Sequence, residues 1–229
     1  MANSRKPAGS GASEFYIEGN TLIDNAVSSL AVEINAYKKK YGKKTVLLTG
    51  CGAANGTTMI AINLAITLSD LGKTLLVDAN LRRGSAMKFG LCDFFQKNTD
   101  IEKIIRPSNI SGLDFAPSGA PVNNPAMYLC SEKMEEFISL ANSKYENVII
   151  DCPPVIASPD AAAMFMVVDG IVLVCSLNKT TKKQIKRAKD AVAPYADKYY
   201  GMVVNSMGEE QYKKLILWRS YQARRNAKV

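Results

Sequence analysis

Residues 45–58 read T-V-L-L-T-G-C-G-A-A-N-G-T-T. A short apolar, β-branched run is followed by a turn with three glycines, and the turn opens into the apolar stretch 57–71. A run with no polar alternation predicts a strand buried on both faces, and the longer stretch behind it predicts a helix. Glycines let successive backbone N–H groups turn inward, and the helix adds the positive end of its dipole, so the loop 50–58 has the form of a phosphate cradle. A tight strand-to-helix turn asks for glycine in any case, so the loop alone is weak evidence.

Outward from this unit, four more runs predict buried strands: TLLVD at 74–78, NVIID at 147–151, IVLVC at 171–175 and YGMVVN at 200–205. Sequence of helical character separates them. Strands of this kind alternating with helices predict an α/β fold of three layers, a mostly parallel sheet with helices on both faces. Before the first strand, Leu22, Ile23, Ala26, Val27, Leu30, Ala31, Ile34 and Tyr37 fall at helical spacing and predict an amphipathic helix that closes in the lysines before Gly42. The expected organisation is a flexible Ser/Gly/Ala/Pro leader at 1–14 and one domain at 15–229. That domain divides into the N-terminal helix (15–42), the core (43–208) and a basic C-terminal helix (209–229). The apolar residues of the last helix, among them Trp218, spread around it, which suits packing on the sheet or docking to a partner or membrane.

Composition narrows the function classes. At 229 residues a single domain buries ~70% of its surface, and 47% hydrophobic with 22% charged residues is a globular balance. No stretch has the length of a bilayer span or the apolar segment of a signal peptide, so the expected location is cytoplasmic. Histidine is absent, which excludes histidine bases and histidine metal ligands. Five dispersed cysteines without a CxxC pair read as reduced, mostly buried thiols. The net charge of +8 comes from lysine and arginine concentrated at 38–44, 179–189 and 213–228. Such blocks read as solvated helix faces or as contacts for an anionic partner, and no base-reading motif accompanies them, so no nucleic acid is expected.

In a parallel α/β sheet ligands gather at the carboxyl ends of the strands. Three strands end there in residues that suit one nucleotide site: the loop after 45–49, Asp78 after LLV, and Asp151 after VII. Two such carboxylates beside a phosphate loop can hold Mg2+, directly or through its waters. Each aspartate alone could equally cap the turn that follows it.

The loop, LLVDANLRRG and VIIDCPPV resemble the Walker A, Walker A′ and Walker B motifs of the bacterial tyrosine kinases, P-loop enzymes of capsule and exopolysaccharide assembly within the MinD/ParA-like ATPases. The likeness runs over 25–208 and includes GLCDFF from 90, PSGAPVNNPAMYLCSEKM from 117, SPDA from 158 and VDGIVLV from 168. It implies a P-loop NTPase fold and a site for ATP with Mg2+. Phosphate contacts would come from Gly52, Ala53, Ala54, Asn55, Gly56, Thr57 and Thr58, with the Thr58 hydroxyl on the metal. Asp78 and Asp151 would be the catalytic and metal-linked carboxylates, Arg82 and Arg83 would lie near the phosphates or a neighbouring subunit, and Asn205 would meet the adenine.

The departures from the pattern decide the functional expectation. Thr57 stands where the family has the P-loop lysine, and Asn80 where it has the second Walker A′ aspartate. The positions of the family's E-x-x-R assembly motif read Asn25, Ser28 and Ala31, which argues against ring formation through it. A tyrosine-rich tail is missing, with only Tyr212 and Tyr221 after Tyr200. The resemblance therefore implies an ATP-binding protein that regulates polysaccharide synthesis as a weakly active kinase or pseudokinase. Its expected partners are a membrane co-polymerase or activator that holds it at the inner face of the membrane, and further copies or an active kinase. The alternatives are an active autophosphorylating kinase and, last, a partitioning ATPase.

Overall fold

The computed structural model describes residue 15 and residues 21–85, 87, 89–177 and 179–205. The predicted C-terminal helix, Trp218, Tyr212 and Tyr221 lie outside the described residues, as do the leader and the side chain of Asn25.

Seven strands form one sheet. In chain order they are β1 (Thr45–Gly50), β2 (Thr74–Asp78), β3 (Arg106–Pro107), β4 (Leu113–Ala116), β5 (Asn147–Cys152), β6 (Gly170–Ser176) and β7 (Tyr199–Asn205). They lie side by side as β3-β4-β2-β5-β1-β6-β7, all parallel except the β3/β4 pair. The five strands read from the sequence are β1, β2, β5, β6 and β7, with ends that differ by at most one residue; β7 is not buried as expected, because it forms an edge of the sheet. The edge pair β3/β4 was not expected; the helical sequence expected between β2 and β5 forms α3 (Leu91–Lys97), α4 (Ile101–Ile104), α5 (Pro125–Leu129) and α6 (Glu132–Lys144) around it.

The strands' two-residue period divides the core between the faces. Val46, Leu48, Leu76, Ile149, Val172 and Val174 pack under α1 (Thr21–Tyr41) and α2 (Thr57–Ser69), with Val27, Ala31 and Ile34 of α1 completing that layer. Leu47, Leu75, Val77, Val148, Ile150, Ile171 and Leu173 face the other way, toward α3 to α6, α7 (Asp160–Met164) and α8 (Lys182–Val192). The alternation fixes the site. Leu76 and Ile149 point toward α2, so two residues further on Asp78 and Asp151 do too, at the strand ends where hydrophobic cover gives out.

Candidate functional site

The loop after β1 is held from below by one buried side chain. Asn55, 3% exposed, donates from Nδ2 to the Val174 carbonyl (3.0 Å), accepts at Oδ1 from the Thr180 hydroxyl (3.2 Å), and its own carbonyl accepts from Asn205 Nδ2 (2.9 Å). Cys51 N–H donates to the same Val174 carbonyl at 2.7 Å. The loop is thus laced to β6 and to the end of β7, while Ala53, Ala54 and Thr58 remain exposed. Gly56 caps α2 at φ +77°, and a Cβ there would stand 2.1 Å from Asn205 Nδ2, so both conformation and space require glycine. No side chain caps α2, whose first-turn N–H groups and dipole suit an anion. Thr57 is the first residue of that helix, half-buried, its hydroxyl turned back toward Gly50.

Asp78 and Asp151 are direct partners in the register of β2 with β5. Asp151 Oδ2 accepts from the Thr58 hydroxyl at 2.6 Å. Asp78 accepts from the Asn80 N–H at Oδ1 and from the Ser118 hydroxyl at Oδ2, both at 2.9 Å. Ser118 is fully buried just past β4 and steadies Asp78; sequence reasoning missed it, since it stands only within the stretch from 117 that carries the family likeness. Asn80 folds into its own turn, its Oδ1 accepting from Arg83 N–H (3.3 Å).

The arginine pair divides. Arg82 donates from Nε (2.7 Å) and one terminal nitrogen (2.9 Å) to the two oxygens of Asp160, a carboxylate with no exposure at the start of α7. Arg82, expected near the phosphates or a neighbouring subunit, is paired with Asp160 in this structure and does not border the cavity beside the carboxylates. Arg83 does. A cavity of about 470 Å³ opens beside the carboxylates, lined by Thr58, Asp78, Asp151 and Arg83 and also by Phe15 and Phe115. Asn205, for which adenine contact was expected, braces the loop through Asn55.

Burial pushes the Asp151 carboxyl up to about 7; the Thr58 hydrogen bond opposes this and the charge of Asp78 adds to it. A folded-state value above the unfolded one means that this group's contribution to stability is full below about pH 4 and is lost as pH rises through 7. Melting curves of the metal-free protein should accordingly fall between pH 4 and 8, and Asp151→Asn should flatten that fall and melt higher than the parent at pH 8. An unchanged slope in the variant would refute the assignment. The same burial keeps the Cys51 thiol up at about 12 and raises Cys152, so these are inert packing thiols; of the five cysteines only Cys130 is exposed.

A divalent cation fits this donor set. The described residues contain no cluster of three acidic or sulfur ligands, and Mg2+ is ordinarily held by one or two carboxylates, a hydroxyl and the substrate's phosphates. Thr58, Asp151 and Asp78 are such a set, and Asp151 is a buried carboxylate whose hydrogen bond from Thr58 leaves its charge uncompensated.

A glycine loop between β1 and α2, with carboxylates at the ends of β5 beside it and of β2 one strand further on, defines a P-loop NTPase fold, and residues 46–193 match the model of an AAA domain family. The chain belongs to the bacterial tyrosine kinases. It is 36% identical over 170 residues to Tyrosine-protein kinase YwqD of Bacillus subtilis, covering 71% of this chain and 72% of the relative. Against Tyrosine-protein kinase wzc of Salmonella typhi it is 28% identical over 194 residues, covering 81% of this chain but 27% of that longer protein. The crystal structure of the VpsO kinase domain superposes with a TM-score of 0.71 at 25% identity, covering 82% of this chain and 98% of that one. No helix among the described residues is long and apolar enough to cross a membrane.

Proposed function

We propose that this chain binds ATP with Mg2+ as a kinase-family subunit whose phosphoryl transfer is slow or absent, and that it regulates capsular or exopolysaccharide synthesis from the cytoplasmic face of the membrane. The observation that carries the reading is the pairing of an intact carboxylate site, Asp78, Asp151 and Thr58, with a loop that has Thr57 at the head of α2 in place of lysine. In this reading the N–H groups of residues 52–58 and the α2 N-terminus hold the phosphates. Thr58, Asp151 and Asp78 hold the metal, which when bound supplies charge neutralisation between the terminal phosphates. Asp78, fixed by Ser118 and the Asn80 N–H, orients the attacking hydroxyl. Asn55, Thr180 and Asn205 keep the loop in shape.

The partner is a membrane polysaccharide co-polymerase or activator, joined by further copies of this chain or by an active kinase. The exposed Ser28 and the buried Ala31 of α1 offer no charge for the family's helix-borne assembly contact, which supports association by another surface. Titration calorimetry of the purified chain with ATP, with and without Mg2+, tests the reading alongside ATP turnover and phosphotyrosine detection. Magnesium-dependent binding that Asp151→Asn abolishes, with little or no turnover, is the expected result. Robust phosphotyrosine formation by the unaltered chain, or no ATP binding at all, overturns it.

A further inference from the structure

Phe15 sits far in sequence from the residues that hold it. Its N–H donates to Asn109 Oδ1 at 2.7 Å, and its carbonyl accepts from Asn109 Nδ2 at 2.9 Å. One carboxamide that satisfies both main-chain groups of a single residue reproduces the pairing of an adjacent strand, and it reads extended backbone without regard to the side chain attached. Selection for the side chain comes from the wall opposite. The Phe15 ring meets Phe115 edge-on, centroids 5.5 Å apart and planes at 89°, and borders the cavity that also holds Thr58, Asp78, Arg83 and Asp151. Ile62 and Leu76 extend the apolar wall. An aromatic residue in an extended peptide fits both features.

We propose that Asn109 and Phe115 form a peptide-docking subsite for an aromatic residue beside the carboxylate pair, and that Phe15 occupies it in cis. The subsite rests on the functional reading above for its meaning: a tyrosine offered there in trans brings its ring to the apolar wall of the cavity that Asp78 also lines. Phe15 has the same ring and no hydroxyl, so the resident holds the subsite and accepts nothing. A tethered segment competes at an effective concentration of about millimolar. Against a free peptide with a Kd on the order of 100 µM, such a competitor lowers apparent affinity about tenfold.

The test uses the full chain and a fluorescein-labelled peptide Ser-Glu-Phe-Tyr-Ile-Glu, the sequence at 13–18, blocked at its C-terminus. Fluorescence anisotropy should give about tenfold tighter binding to Phe15→Ala than to the parent chain, and adding Asn109→Ala should remove the gain. Amide exchange at Phe15 in the parent should accelerate at least tenfold on Asn109→Ala. Equal peptide affinity for parent and Phe15→Ala, or no binding to either, overturns the subsite, as does an unprotected Phe15 amide. ATP calorimetry on the same samples separates the two readings: a clamp that releases as expected in a chain that binds no ATP defeats the functional reading and leaves the subsite standing.

Discussion

Thr57→Lys should raise ATP turnover and phosphotyrosine formation by about 10²–10³. One preorganised donor aimed at developing charge contributes about 3–4 kcal/mol at a transition state, and an ammonium carries a full charge where the threonine hydroxyl carries a dipole. The site accommodates the change. Thr57 is the first residue of α2 and half-buried, so a lysine there need not displace packed core, and neighbouring Thr58 keeps its bond to Asp151. The natural chain has lost one positive residue at 57 and one negative residue at 80, so the single variant leaves the site one charge more positive than the family pattern. Thr57→Lys with Asn80→Asp should therefore exceed Thr57→Lys alone in Mg2+ affinity. Turnover and anti-phosphotyrosine signal, measured on the purified parent and both variants, decide it. If lysine changes neither, the missing charge is not what limits transfer, and Arg83 at the cavity becomes the group to remove next.

Local sequence could specify some parts of the molecule and not others. TVLLT, TLLVD, NVIID and IVLVC announced themselves because strands buried on both faces must be apolar throughout and break at the loop that follows; YGMVVN has the same run of apolar residues but forms the edge strand β7, where no residue is buried. β3 and β4 had no such signature: Arg106–Pro107 is two residues long with a proline that only an edge position tolerates, and the two central residues of Leu113–Ala116 are half exposed. Asp78 and Asp151 were legible as strand-end carboxylates, but their direct opposition depends on the register of β2 with β5, which neither run states by itself. Ser118, Asp160 and Asn109 act on residues 40, 78 and 94 positions away. No local pattern encodes a partner at that range. Arg82 shows the consequence, since its motif position pointed to the phosphates or a neighbouring subunit and gave no sign of the buried carboxylate on α7 with which it pairs.

That pairing should make Arg82→Ala one of the more damaging single changes outside the hydrophobic core, with a loss of about 2–4 kcal/mol in unfolding free energy. Removing one member of a buried ion pair costs about 3–5 kcal/mol because the survivor is left charged in a low-dielectric setting. Here Asp160 has no exposure while the Arg82 side chain is 48% exposed, so solvent reaches one side and the expected figure moves toward the lower part of that range. The damage should be directional. Asp160 begins α7, and Ala161, Met164 and Phe165 behind it are fully buried, so a hydrated or displaced carboxylate would loosen that end of the sheet before the phosphate loop. Arg82→Met with Asp160→Leu should recover most of the lost stability, because a buried pair replaced by apolar groups of similar size is often neutral. Urea unfolding of the two single variants and the double variant gives the coupling directly. Near-additive losses, with the double variant as unstable as the two singles summed, would show that Arg82 and Asp160 stabilise the fold independently. The latch between the arginine loop and α7 would then be no more than a crossing of two side chains.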